Sequence, residues 1–125
     1  MLIMSTQTEE FFENMQKFLP SSKKAYSESI NKYGEVLETV VIEDIFMPPV
    51  LALLSENKDS QLLESMFEYF EEIVNSGDLH LINVFSITVL EMLGNDKEIL
   101  ETAKKYMGTK TKILQIKADE ELGRI

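Results

Sequence analysis

Apolar positions dominate one stretch of the chain. From Leu79 to Leu93 it reads LHLINVFSITVLEML, with Asp78 before it and Gly94 after it. The polar residues His80, Asn83, Ser86, Thr88 and Glu91 are scattered too widely to form one wet face, so the element is expected to be wrapped by others. Its β-branched residues would suit a strand, but fifteen residues between an N-capping aspartate and a C-terminal glycine is helix length.

The rest of the chain patterns around this segment. Thr6 and Glu9 have capping-box spacing, and Phe11, Phe12, Met15, Phe18 and Leu19 recur at helical intervals until Pro20, predicting a helix over residues 6–19. Ser21 or Ser22 can cap a second helix with Ala25, Tyr26, Ile30 and Tyr33 on one side, which breaks at Gly34. Val36 to Phe46 continues at helical spacing, although the run Thr39–Ile42 also suits a strand. Pro48 and Pro49 are expected to interrupt it, with Pro49 opening a short helix through Val50, Leu51, Leu53 and Leu54.

Beyond the polar turn Asn57–Ser60, Leu62, Leu63, Met66, Phe67, Phe70, Ile73 and Val74 make a broad apolar stripe opposite Gln61, Glu64, Glu68, Glu71, Glu72 and Asn75, the clearest amphipathic helix in the chain. Asn95 or Asp96 caps a helix carrying Ile99, Leu100, Ala103 and Tyr106. Thr109 or Thr111 starts a last one with Ile113, Leu114, Ile116, Ala118 and Leu122, ending near Gly123. The short later loops favour antiparallel neighbours. The expected fold is all-α, one helical domain over residues 1–125. It is built of antiparallel hairpins, either as a HEAT- or armadillo-like α-solenoid or as a compact bundle of about six or seven helices.

Composition fits a single core: 125 residues, 44% hydrophobic and 27% charged, a size that buries about two-thirds of its unfolded surface. Cysteine is absent, so disulfides and thiolate metal sites are excluded. The opening MLIM is too short for a signal segment, and no apolar run is long enough to span a bilayer. A cytoplasmic location is expected.

Charge placement adds more than its total of -10. Met1 to Lys32 is neutral, Tyr33 to Ala103 holds fifteen acids against Lys58 and Lys97, and Lys104 to Ile125 has six basic residues against three acids. An acidic body of this kind repels nucleic acid and anionic lipid and favours basic proteins.

The residues offer little catalytic chemistry. His80 is the only histidine, which excludes histidine-rich metal sites, and two places after the capping Asp78 it reads as a first-turn residue making local hydrogen bonds. No glycine-rich phosphate loop is present. Neither Glu43 with Asp44 nor Glu71 with Glu72 converges as an acid–base pair, because adjacent helical residues point about 100° apart. Glu64, Glu68, Glu71 and Glu72 do share a face, at a mutual cost of about 0.2–0.5 kcal/mol per like-charged pair. That face is either simply solvated or a recognition surface whose self-repulsion a basic partner relieves. An unpaired Asn83 inside the apolar helix would cost about 1–3 kcal/mol, so it is expected to bond to a helix end or to His80. Phenylalanines and methionines at helical spacing are core, with Phe46 and Met47 the exceptions because the prolines expose the chain there.

The block Leu37-Glu38-x-x-x-Ile42-Glu43-Asp44-Ile45-Phe46-Met47-Pro48, the helix around Phe67–Phe70, the Asn83-centred helix and Tyr106-Met107-Gly108 resemble a family of small, acidic, helical bacterial proteins of unassigned function. Some of its members are candidate immunity proteins of toxin systems. The likeness covers residues 33–123 and leaves out the N-terminal third. It implies no catalytic residues, only Glu43, Asp44 and Phe46 as a recognition corner.

The expectation is therefore a non-enzymatic, immunity-type module that neutralises a basic toxin through an acidic helical face of Glu43, Asp44, Phe46, Glu64, Glu68, Glu71 and Glu72. It has no catalytic, cofactor or metal residues and no nucleic-acid or membrane partner. A helical-repeat adaptor, held in an assembly through the apolar segment 46–54, is the alternative. An enzyme would require inward-facing carboxylates at a pocket.

Overall fold

The computed structural model describes residues 5–125; the opening Met1–Met4, read above for a signal segment, lies outside them. Among the described residues there are seven helices and no strand. They are α1 (Thr6–Phe18), α2 (Lys23–Tyr33, entered by a 3₁₀ turn at Pro20–Ser22), α3 (38–56), α4 (Ser60–Val74), α5 (79–93), α6 (Lys97–Lys104) and α7 (Thr109–Glu121). The β-branched run Thr39–Ile42 is helical, because Val41 and Ile42 are buried on the inward side of a continuous helix.

Helix starts follow the side chains that can satisfy their unpaired N–H groups. Ser5, not Thr6, caps α1 by accepting from the Thr8 N–H. Asp59 caps α4, Asp78 caps α5, and Asp96 caps α6 by accepting from both Glu98 and Ile99. Neither Ser21 nor Ser22 caps α2; the Ser22 hydroxyl donates instead to Leu19 O at 2.6 Å. Ser5 also donates to Asp78 at 2.6 Å, tying the start of α1 to the start of α5. The hydrogen bonds from Ser5 and the Leu81 N–H hold the Asp78 carboxyl below its usual range.

Pro48 and Pro49 do not interrupt α3. The five residues Ile42–Phe46 widen into a π turn in which the Met47 N–H reaches back to Ile42 O, and Met47 keeps helical angles (φ -69°, ψ -38°). The prolines then occupy the first turn of the following α segment, where a missing N–H costs least. A second π turn, Ser86–Leu90, interrupts α5. There the buried Thr88 hydroxyl donates to Val84 O at 2.6 Å and competes for a carbonyl of the ordinary ladder. The two π turns pack against each other.

Helix α5 is the hub expected of it, packing against α3, α4, α6 and α7. Its inward side is Leu81, Val84, Phe85, Thr88, Val89, Leu90 and Leu93. It is not wrapped all round: Leu79, His80, Asn83 and Ile87 form an exposed stripe, so Asn83 meets water and needs no protein partner. Helix α7 folds back on both α4 and α5, and α6 packs on the second half of α3. These closures make a compact bundle. In a solenoid each unit would touch only its neighbours.

Two groups of aromatic rings fill the core. Phe11, Phe12, Tyr26, Phe46 and Tyr69 join α1–α4, and Phe67, Phe70, Phe85 and Tyr106 join α4, α5 and the turn after α6. Phe46 and Met47 are both 0% exposed, contrary to the expectation that the prolines would present them. The continuous helix through the π turn carries both rows inward, and Phe46 ends between Phe11, Phe12 and Tyr26.

The largest departure from pattern is α7. Thr111, Gln115 and Asp119 are buried, whereas the apolar Ile113, Ile116 and Leu122 are exposed and Leu114 and Ala118 pack on the core. Polar groups on the neighbouring helices α4 and α5 dictate this orientation.

Candidate functional site

Helix α4 turns Leu63, Met66, Phe67, Phe70 and Ile73 into the core. Glu64, Glu68 and Glu72, spaced four apart, consequently share the exposed side. None of them, nor Glu43 or Asp44 on α3, joins an ion pair among the described residues. Glu43 and Asp44 are exposed, but Phe46 lies beneath the surface and cannot itself touch a partner. The proposed recognition corner reduces to its two carboxylates.

Glu71 serves the fold. Its carboxylate accepts from the Thr111 hydroxyl at 2.7 Å, the Thr111 N–H at 2.9 Å and the Lys110 N–H at 3.1 Å. Gly108, at the N-cap of α7, offers no side chain, and neither Thr109 nor Thr111 caps the helix, so Glu71 caps it from across the bundle. The approach requires glycine: a Cβ on Gly108 would stand 2.4 Å from Glu71 Cδ. Partial burial pushes the Glu71 carboxyl up, but the hydrogen bonds from Thr111 and Lys110 outweigh it and leave the group below its usual range.

Beside the strip lies a cleft of about 160 Å³ between α1, α4 and α5, lined by residues including Glu10, Tyr69, Glu72, Ser76 and Leu81. Burial raises the Tyr69 hydroxyl; a hydrogen bond with Asn14 opposes the shift, and the Glu10 and Glu72 charges add to it. The two carboxylates lining the cleft, Glu10 and Glu72, suit a cationic side chain. Glu10 carried no signal in sequence, because only the fold brings α1 beside Glu72.

His80 reaches further than its own first turn. Its Nε2 lies 2.8 Å from Glu38 Oε1 on α3, forming an exposed contact between helices. None of the fifteen acids between Tyr33 and Ala103 is buried, with Glu38, Glu71, Asp78 and Glu91 half-buried and the others exposed. The apolar segment 46–54 buries Phe46, Met47, Val50 and Leu54 in the core and leaves Leu51 and Leu53 half-buried.

The buried carboxylate is Asp119, in a cluster that sequence reading missed. Gln115 Nε2 donates to Leu90 O at 2.9 Å and to Asp119 at 3.1 Å; Arg124 Nη1 donates to Glu91 O at 3.0 Å and lies 3.4 Å from Asp119. Arg124 also bonds to Asn95. These groups satisfy carbonyls at the C-terminal end of α5, where a cation also complements the helix dipole. Together with the Glu71–Thr111 contact they explain why α7 turns its polar residues inward. Gly94 is the sequence trace of the cluster, since a Cβ there would stand 2.4 Å from both Arg124 Nη1 and Asp119 Oδ1.

Among the described residues, no group of three or more histidine, aspartate or glutamate side chains is placed to hold a metal ion, and no helix is long and apolar enough to cross a membrane.

A family model described as a domain of unknown function, DUF7674, matches residues 12–122, and the chain belongs to that family. The match takes in most of the N-terminal third, which the resemblance drawn from sequence had left out. No curated protein and no solved structure matches the chain.

Proposed function

We infer that this member of the family is a non-enzymatic, cytoplasmic protein-binding module whose α4 face takes a basic partner. One observation carries the reading: Glu64, Glu68 and Glu72 stand exposed along one side of α4, outside any ion pair among the described residues, while the adjacent Glu71 is consumed by the fold. The cleft at Tyr69 extends this face to Glu10 and gives it a seat for a lysine or arginine side chain. Glu43 and Asp44 add exposed charge on α3. Acidic faces of this kind speed encounter with a basic protein and give an association rate that falls with salt. In its most specific form the partner is a basic toxin domain, and the module is its immunity protein.

Affinity capture with three immobilised forms tests the reading: wild type, E64K/E68K/E72K, and E9K/E13K/E28K, which changes net charge equally on α1 and α2. A basic protein should be retained by wild type and by the α1–α2 variant but lost with the α4 variant. Equal loss with both variants would reduce the effect to net charge and overturn the assignment. If the partner is a toxin, its activity in solution falls as wild type is added and is restored by the α4 changes.

A further inference from the structure

Helix α7 is built inside out, and only half of that inversion is explained by the fold. Its inward polar residues meet Glu71, Leu90 O and Arg124, as described above. Its outward Ile113 and Ile116 are 62% and 49% exposed, three residues apart on one side of the helix. Ile113 and Leu114, with Val74 at the end of α4 and Ile82 on α5, line a groove of about 320 Å³ whose remaining lining residues are Lys110 and Lys117. Leu79 is 79% exposed and lies one turn before Ile82 on the same side of α5, so the apolar surface continues beyond the groove.

We propose that this groove docks an amphipathic helix of a partner protein, with an apolar stripe seated between α5 and α7 and Asp or Glu residues on its flanks meeting Lys110 and Lys117. Charge complementarity selects this occupant. The chain carries a net charge of -10, yet five of its eleven lysines fall between Lys104 and Lys117, and neither groove lysine, Lys110 or Lys117, joins an ion pair among the described residues. Lysine suits the position, because its methylene stem can extend an apolar wall while the ammonium stays in water. An acidic-flanked helix would thus pair charge at the rim and bury apolar anchors at successive turns. A second copy of this chain, docked two-fold on the same groove, would set Lys110 and Lys117 against themselves.

Two fluorescent designed helical peptides test the proposal, each about five turns long with a leucine stripe at i, i+3, i+4 and i+7. One has glutamates on both flanks and the other has lysines. Fluorescence anisotropy should show the acidic peptide binding the full chain despite the like net charge. I113S/I116S should weaken that binding about tenfold or more. Both isoleucines are exposed, so the variant keeps the wild-type melting temperature. K110E/K117E should abolish binding of the acidic peptide and leave the α4 face unaffected. Any attraction of the lysine peptide should instead depend on Glu64, Glu68 and Glu72, so failure of the groove and failure of the α4 face are distinguishable. The proposal is overturned if the acidic peptide does not bind, or binds equally to I113S/I116S and K110E/K117E. It is also overturned if sedimentation shows a dimer that I113S/I116S dissolves, or if the groove takes phosphatidylserine vesicles in place of the peptide.

Discussion

Replacing Glu71 with alanine isolates how the bundle is closed. The carboxylate accepts three hydrogen bonds at 2.7, 2.9 and 3.1 Å, two of them from backbone N–H groups at the start of α7 that have no other cap. Losing a single N-cap costs about 0.5–2 kcal/mol, and a carboxylate at a helix N-terminus adds a favourable dipole interaction. We therefore expect E71A to cost about 2 kcal/mol and E71Q, which keeps one acceptor but no charge, about 1 kcal/mol. For a domain of this size, 2 kcal/mol lowers Tm by about 6–10 °C. The folded Glu71 carboxyl titrates below its ordinary value of 4.5, so its contribution is fully present above 4.5 and is lost as pH falls through the folded value. Urea unfolding at neutral and acidic pH should accordingly show the wild-type advantage over E71Q narrowing as pH is lowered below 4.5. G108A should reproduce most of the loss, because its Cβ would stand 2.4 Å from Glu71 Cδ, and the double variant should fall short of the summed costs by about 1 kcal/mol. Wild-type stability in E71A at neutral pH, or strict additivity with G108A, would refute the cross-bundle cap.

Three further outcomes follow from the same geometry. Removing the guanidinium in R124A leaves Asp119 buried without its cation and should cost about 1–3 kcal/mol in urea unfolding, with G94A similar because it displaces the same pair. V84D or L90D should abolish cooperative unfolding by circular dichroism, whereas N83D, at an exposed position of the same helix, should stay within about 0.5 kcal/mol of wild type. E64K/E68K/E72K should melt with wild type to within about 2 °C, since none of the three carboxylates is part of an ion pair or of the core.

Helix-forming periodicity and capping made most of the fold readable in sequence. The inward stripe of α4, the caps at Asp78 and Asp96 and the hub position of α5 each follow from local spacing. The failures share a cause, which is that contacts between distant segments overrode local pattern. Pro48 reads as a break because the sequence cannot announce a π turn that absorbs it. Helix α7 buries Thr111, Gln115 and Asp119 and exposes Ile113 and Ile116, an orientation its local pattern does not announce, because the groups that set it, Glu71 and the carbonyls of Leu90 and Glu91, come from α4 and α5. The candidate face was legible in the spacing of Glu64, Glu68 and Glu72. That Glu71 leaves the set and Glu10 joins it depends on helix packing.

The binding account meets its most direct test in stopped-flow association of wild type and E64K/E68K/E72K with the captured basic partner, across about 50 to 500 mM salt. We predict that the wild-type on-rate falls about tenfold or more over that range and that the variant's rate is low throughout. A wild-type rate independent of salt, or one that the three substitutions leave unchanged, would contradict it.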